Sequence, residues 1–152
     1  MRLNFLYGAI LSLLLLASCG QLEKPVLNYI DQVKIRKPGL EKSLVTFNVQ
    51  CFNPNATRAR LRSAQGEAWL DSNYIGHFVV DTSVMIPARA NFTIPVKLEV
   101  DMKKMLVYSL NGFKNENVYV KVIGKARVSK SLFSKNISID YAGNQNLQGL
   151  VR

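Results

Sequence analysis

Residues 44–55 read LVTFNVQCFNPN, and this stretch decides the fold. Apolar and polar side chains alternate along it. The apolar ones are Val45, Phe47, Val49 and Cys51. A period of two is typical of a β-strand with one buried face and one wet face. The strand is predicted to stop before Pro54, since proline cannot donate a backbone hydrogen bond to a neighbouring strand.

The same period of two recurs along most of the chain. Further strands are predicted at residues 27–36, 64–70, 74–81, 84–87, 92–100, 118–128 and 133–141. The residues DSN at 71–73 are a hairpin turn signal between two of these strands. One segment breaks the pattern, because DMKKMLVYSLNG at 101–112 has apolar residues at helical spacing. A short helix is predicted at about 102–111, capped by Asp101 and stopped by Asn111-Gly112.

Seven to eight short strands with one short helix predict a mainly β fold. The expected architecture is an antiparallel sandwich of the immunoglobulin or fibronectin-III type. We expect this domain to occupy residues 27–142. Residues 143–152 are polar and contain glycine, which predicts a loosely held C-terminal tail.

The first 18 residues are typical of a bacterial lipoprotein signal peptide. Arg2 gives a positive start, residues 10–16 are apolar apart from Ser12, and small residues precede a cysteine. The run LASC at 16–19 matches the lipoprotein motif Leu-small-small-Cys. By that resemblance Cys19 is lipidated and becomes the first residue of the mature chain. An uncleaved anchor helix is the alternative, but the apolar run is shorter than the ~20 residues that cross a bilayer.

Residues 19–26 are interpreted as the lipidated cysteine and its tether. Seven extended residues reach only about 25 Å, so the domain is expected to lie close to the membrane. An inner-membrane signal would carry Asp directly after Cys19. Gly20 at this position instead resembles signals that permit sorting to the outer membrane, where the domain would face the periplasm.

If Cys19 carries lipid, the second cysteine has no disulfide partner. Cys51 is therefore predicted to be a free and buried thiol.

The charge of the mature chain is strongly basic. The whole chain carries +10, and cleavage after residue 18 removes only the charge of Arg2, leaving +9. Such a chain is attracted to anionic envelope components, although a solvated surface is the commoner reason for this charge. Nucleic acid is not an expected ligand of an exported lipoprotein. Nothing in the sequence fixes the oligomeric state.

The sequence offers no catalytic or metal-binding constellation. His77 is the only histidine and is interpreted as an ordinary strand residue. Glu99 and Asp101 share an outward face, but two carboxylates without further ligands make a poor cation site. The nearby Lys97 and Lys103 are expected to form surface ion pairs. No nucleophile motif or glycine-rich phosphate loop is present, so no enzyme activity, metal or cofactor is predicted.

Arg58, Arg60 and Arg62 alternate in TRARLR at 57–62 and form a candidate anion-binding site. In a strand they would project from one face about 7 Å apart, and guanidinium groups bind phosphate or carboxylate through two parallel hydrogen bonds. The favoured alternative is a charged edge strand that discourages edge-to-edge pairing.

The order of three segments resembles the late-embryogenesis-abundant group 2 family, also called the WHy domain. The segments are LVTFNVQCFNPN at 44–55, QGEAWLDSNYIGHF at 65–78 and VMIPARANFTIPVKLEV at 84–100. The similarity extends to about residue 142. Its motif residues are Asn53, Pro54, Asn55, Pro87 and Pro95. Their expected roles are structural, since asparagines suit a turn and prolines end strands or occupy edges.

The resemblance implies a folded sandwich and a role in stress tolerance. We therefore expect a lipid-anchored, non-enzymatic envelope protein that is stress-protective or binding. The alternative is an accessory subunit of an envelope assembly, docking on a protein partner through a sheet edge or through the three arginines.

Overall fold

Eight antiparallel strands dominate the computed structural model, which describes residues 23–39, 41–104 and 117–146. The predicted mainly β, antiparallel sandwich-type fold is confirmed. The strands are β1 (Val26–Lys37), β2 (Lys42–Phe52), β3 (Ala59–Leu70), β4 (Asn73–Val80), β5 (Val84–Ile86), β6 (Asn91–Asp101), β7 (Asn117–Lys130) and β8 (Phe133–Asn146).

The eight strands form one sheet. Seven of them follow the order β1-β2-β6-β4-β3-β7-β8, and β5 pairs with β3 outside this order. The sheet is narrowest at β4, where only Gly76–Val79 pair with 97–100 of β6. Among the described strands, residues 91–96 of β6 pair only with β2, while the start of β3 pairs with β5 and β7. The two halves of the sheet are therefore joined at one end only, and apolar side chains fill the space between them.

The core contains residues from β2 to β7. Among the described residues, Val80 and Val118 are the most buried apolar ones, each with 2% of the residue exposed. The buried cluster is made of Cys51, Leu61, Ala64, Phe78, Val80, Val84, Phe92, Val96 and Ala126. Its members mostly follow the period of two, because successive side chains of a strand point to opposite faces.

Two glycines allow β3 and β7 to approach closely. Gly66 lies opposite Gly124, and the ring of Phe78 lies against Gly66. A β-carbon on Gly66 would come within 2.2 Å of the Ile123 carbonyl oxygen and 2.7 Å of Phe78 Cε1. This backbone proximity explains why neither position carries a side chain.

Several predicted boundaries move. The tail was predicted to begin at residue 143, but β8 continues to Asn146 because 143–146 pair with 117–120 of β7. β3 begins at Ala59 rather than at 64, since it gains a partner in β5.

Residues 102–104 form a helical turn, with Lys104 N donating to Asp101 Oδ1 at 3.2 Å as predicted for the cap. The remainder of the predicted helix, 105–111, lies outside the described residues.

Cys51 is a free and buried thiol, as predicted, with 7% of the residue exposed. Desolvation raises its pKa to about 11, so the thiol stays protonated at neutral pH. Since the thiolate is the reactive form, we expect alkylation in the native protein to be slow at pH 8 and fast in denaturant. Rapid labelling of the native protein would contradict this burial.

Candidate functional site at the Asn53 end of the domain

One end of the domain contains four of the five motif residues, Asn53, Pro54, Asn55 and Pro87, together with Arg58, and Arg60 and Arg62 follow directly after it at the start of β3. We call it the Asn53 end, and it comprises segment 23–25, the loops 53–58 and 87–90, and the turn 131–132. Strands β2, β5 and β7 end here, and β1, β3, β6 and β8 begin here.

Asn53 holds the two loops together from a buried position, with 3% of the residue exposed. Its side-chain amide donates to the Pro87 carbonyl at 2.7 Å and to the Thr57 carbonyl at 3.1 Å. Its backbone N–H donates to the Ala90 carbonyl at 3.0 Å. Asn53 therefore supplies hydrogen bonds to these partly buried backbone carbonyls.

Asn55 extends the connection to the N-terminal segment. It donates to Asn53 Oδ1 through its backbone N–H at 3.1 Å and through its amide at 2.9 Å. Glu23 N donates to Asn55 Oδ1 at 2.9 Å, and Asn55 Nδ2 donates to the Glu23 carbonyl at 2.8 Å. The last part of the predicted tether, 19–26, is therefore fixed to the domain, and β1 already begins at Val26.

Two of the three motif prolines lie where the sequence predicts, just after the ends of strands. Pro54 follows the end of β2, and Pro87 directly follows β5. Pro95 lies in an interior strand, but in the half of β6 where β2 is the one partner strand among the described residues. This half offers a local edge, which accommodates a residue without an N–H.

The three arginines do not lie on an edge strand, so the edge-protection interpretation was wrong. β3 pairs with β4 and β5 on one side and with β7 on the other. Arg58 precedes β3 and is exposed, Arg60 is half-buried, and Arg62 donates through Nε to Ser129 Oγ at 3.0 Å. A bulge between Leu61 and Ser63 interrupts the simple alternation. The arginines thus cluster at the Asn53 end without protecting a free edge.

The β7–β8 hairpin tip lies beside these arginines, because Arg60 pairs with Ser129. We define the tip as residues 130–135, KSLFSK. Its two-residue turn, Ser131-Leu132, leaves Leu132 97% exposed and Phe133 82% exposed. Alternation along 133–141 places Phe133 on the same face as Ile137, Ile139 and Tyr141, which predicts that it is buried, and no alternating pattern marks Leu132. The flanking lysines are the signal that could have marked the tip.

The acidic partners of the described cations lie away from the Asn53 end. The ion pairs are Lys42–Glu99 at 2.6 Å, Lys97–Asp81 at 2.5 Å, Lys103–Glu41 at 2.9 Å and Lys104–Asp101 at 3.8 Å. Lys97 and Lys103 form surface ion pairs, as predicted, but their partners are Asp81 and Glu41 rather than the nearby Glu99 and Asp101. Within the described ranges, Arg58, Arg60, Arg62, Arg89 and Lys130 form no ion pair. The Asn53 end therefore carries net positive charge, since Glu23 is the one acidic residue of its described segments.

Other candidate chemistry stays separate from this end. His77 is exposed on β4. Among residues 23–39, 41–104 and 117–146, no three His, Cys, Asp or Glu side chains are grouped so that they could hold a metal ion. No helix within these ranges is long and apolar enough to span a bilayer. Cys19 lies outside the described residues.

Comparisons with known proteins show the fold alone. No family model matches the chain, and no curated protein matches it. The solution structure of a protein from Arabidopsis thaliana has a TM-score of 0.52 at 11% identity, covering 86% of this chain and 87% of that one. A protein from Archaeoglobus fulgidus, with a TM-score of 0.46 at 8% identity, covers 83% and 97%. A protein assigned to the late embryogenesis abundant (LEA) proteins, with a TM-score of 0.36 at 12% identity, covers 96% and 87%.

Proposed function

We propose that this protein is a lipid-anchored, non-enzymatic envelope protein. Cys19 of the LASC motif would carry the lipid, and the domain would have a stress-protective or binding role at the membrane surface. The observation that carries the proposal is the position of Glu23. This residue lies four positions after Cys19 and is hydrogen bonded to Asn55.

The attachment of Glu23 limits how far the domain lies from its anchor. Four extended residues span at most about 14 Å. A lipid on Cys19 would therefore place the Asn53 end nearest the membrane. With two or more acyl chains the anchoring would be stable, because each buried CH₂ contributes about 0.8 kcal/mol. Gly20 after Cys19 favours the outer membrane, with the domain in the periplasm.

Cys19→Ala tests the anchor. We expect the variant to accumulate as an uncut precursor, since processing of lipoproteins depends on the modified cysteine. The length of the chain on gels and its partitioning into detergent report the result, with Cys51→Ala as the matched control that should be processed normally. Normal processing and unchanged partitioning of Cys19→Ala would overturn the proposal.

A role as an accessory subunit of an envelope assembly is the second candidate, supported by the free edge of β8. Among the described strands β8 pairs with β7 alone, and it leaves Ile137 45% exposed and Tyr141 38% exposed. An unpaired edge can accept a strand from another chain. A single stoichiometric partner in a pull-down, lost when Ile137→Lys is introduced, would favour this role over the first.

A further inference from the structure

We propose that the β7–β8 hairpin tip inserts Leu132 and Phe133 into the interface of an anionic bilayer. The occupant of this surface is thus a membrane carrying anionic lipid. The proposal deepens the anchoring proposed above and rests on it for the position of the membrane. It concerns residues that the lipoprotein motif does not include.

Two adjacent large apolar side chains are exposed at the tip. A single exposed leucine is ordinary in a folded protein. Here Leu132 and Phe133 are 97% and 82% exposed, side by side, at the end of a two-residue turn. A narrow apolar projection of this kind has the shape to enter the headgroup region of a bilayer.

Cationic side chains surround the apolar tip. Lys130 and Lys135 flank the apolar pair, and Arg58 and Arg60 lie beside it at the start of β3. In the described part of the chain none of these four side chains forms an ion pair, whereas several other lysines do. Unpaired cations next to an apolar projection complement phosphate groups above acyl chains, and they attract an anionic surface over roughly a Debye length.

The chain leads from the end of the domain that carries the tip directly back to Cys19. The tip belongs to the Asn53 end, where Asn55 holds Glu23. From Glu23 only four residues lead back to Cys19, a path of at most about 14 Å. An anchor at Cys19 therefore brings the membrane to the end of the domain that carries the apolar tip.

The test measures the depth of the tip in the membrane with the full, processed protein in vesicles. Trp69 is the one tryptophan and lies toward the opposite end of β3, so a Trp69→Phe background is free of other indoles. Phe133→Trp then reports the tip. Tyr119→Trp is the matched control, because Tyr119 is 42% exposed and its backbone contacts Asp71 at the opposite end.

Vesicles contain phosphatidylcholine alone or with phosphatidylglycerol, together with lipids brominated on the acyl chains. We expect the Phe133→Trp indole to be quenched several-fold more strongly than the Tyr119→Trp indole, and most strongly in anionic vesicles. Salt should reduce the anionic preference. Lys130→Gln with Lys135→Gln should also reduce it, whereas Lys121→Gln with Lys125→Gln, at mid-strand positions of β7, should not.

The failures of the two proposals are distinguishable. The proposed function is overturned if the protein with Cys19 intact carries no lipid and does not stay on the vesicles. A lipidated protein that stays on the vesicles, with equal quenching at Phe133→Trp and Tyr119→Trp, overturns the tip insertion alone. A blue-shifted indole at Phe133→Trp without quenching by brominated lipid would indicate a second copy or another protein as the occupant, and would likewise overturn it.

Discussion

Asn53→Ala is expected to lower the free energy of unfolding by about 3 kcal/mol or more. The substitution removes the donors to the Pro87 and Thr57 carbonyls and the acceptor of both Asn55 bonds. These four hydrogen bonds are partly buried, and a buried polar group left without a partner costs about 1–3 kcal/mol, so several losses together exceed that of a single surface hydrogen bond. Chemical denaturation of the parent and the variant measures the difference.

Asn91→Ala is the matched control for Asn53→Ala. Asn91 is exposed at the same end, and its side chain accepts a single long hydrogen bond from Asn28 at 3.3 Å. Its replacement is expected to change stability by less than about 0.5 kcal/mol. Equal effects of the two substitutions would contradict the structural role of Asn53.

Asn53→Asp tests the hydrogen-bond donors of the side chain alone, because aspartate has nearly the same shape as asparagine but lacks the Nδ2 hydrogens. A carboxylate at this position would face the Pro87 and Thr57 carbonyl oxygens, which raises its pKa in the folded state. The folded state then binds more protons than the unfolded state, so stability falls as pH rises past the unfolded pKa of about 3.9. We expect this variant to be least stable at neutral pH and to recover toward acidic pH.

Gly66→Ala is expected to have a comparably large effect, with a loss of about 3 kcal/mol or more or a failure to fold. The new β-carbon would lie 2.2 Å from the Ile123 carbonyl oxygen and 2.6 Å from Gly124 Cα. Both obstacles are backbone atoms of the paired strand, which cannot move without disturbing the ladder between β3 and β7. Thermal unfolding should show the loss as a fall in Tm of about 10 °C or more.

Gly143→Ala provides the control, on β8 at the far side of β7. A β-carbon there would meet only the Tyr141 side chain, at 3.3 Å from its hydroxyl oxygen. That side chain is exposed and can move, so the change in Tm should be within about 4 °C. If Gly66→Ala were as well tolerated as Gly143→Ala, the close approach of β3 and β7 would be refuted.

The strands could be predicted because their information is local. Alternating side chains determine which face of a strand is buried. The alternation in LVTFNVQCF at 44–52 therefore predicts a strand, and these residues lie in β2. The DSN turn is equally local, and Asp71 and Ser72 have the positive φ values, 45° and 68°, that a tight hairpin requires. Cys51 was predicted to be buried for the same reason, as the continuation of one apolar face.

The positions of strands within the sheet could not be predicted in this way. TRARLR at 57–62 has the composition of an edge, yet β3 is interior because β4, β5 and β7 pair with it from distant parts of the chain. Alternation also assigned Phe133 to a buried face, but it cannot reveal that a hairpin tip lacks a covering strand. The hydrogen bonds of Asn53 likewise depend on the loop 87–90, more than thirty residues away.

The central claim is that Cys19 anchors the protein to a membrane through lipid. The intact mass of the protein purified from membranes in detergent tests this claim most directly. The account predicts the mass of residues 19–152 plus a diacylglyceryl group and one further acyl chain, with Cys51 as a free thiol. A mass equal to that of the whole unmodified chain, or a disulfide between Cys19 and Cys51, would contradict it.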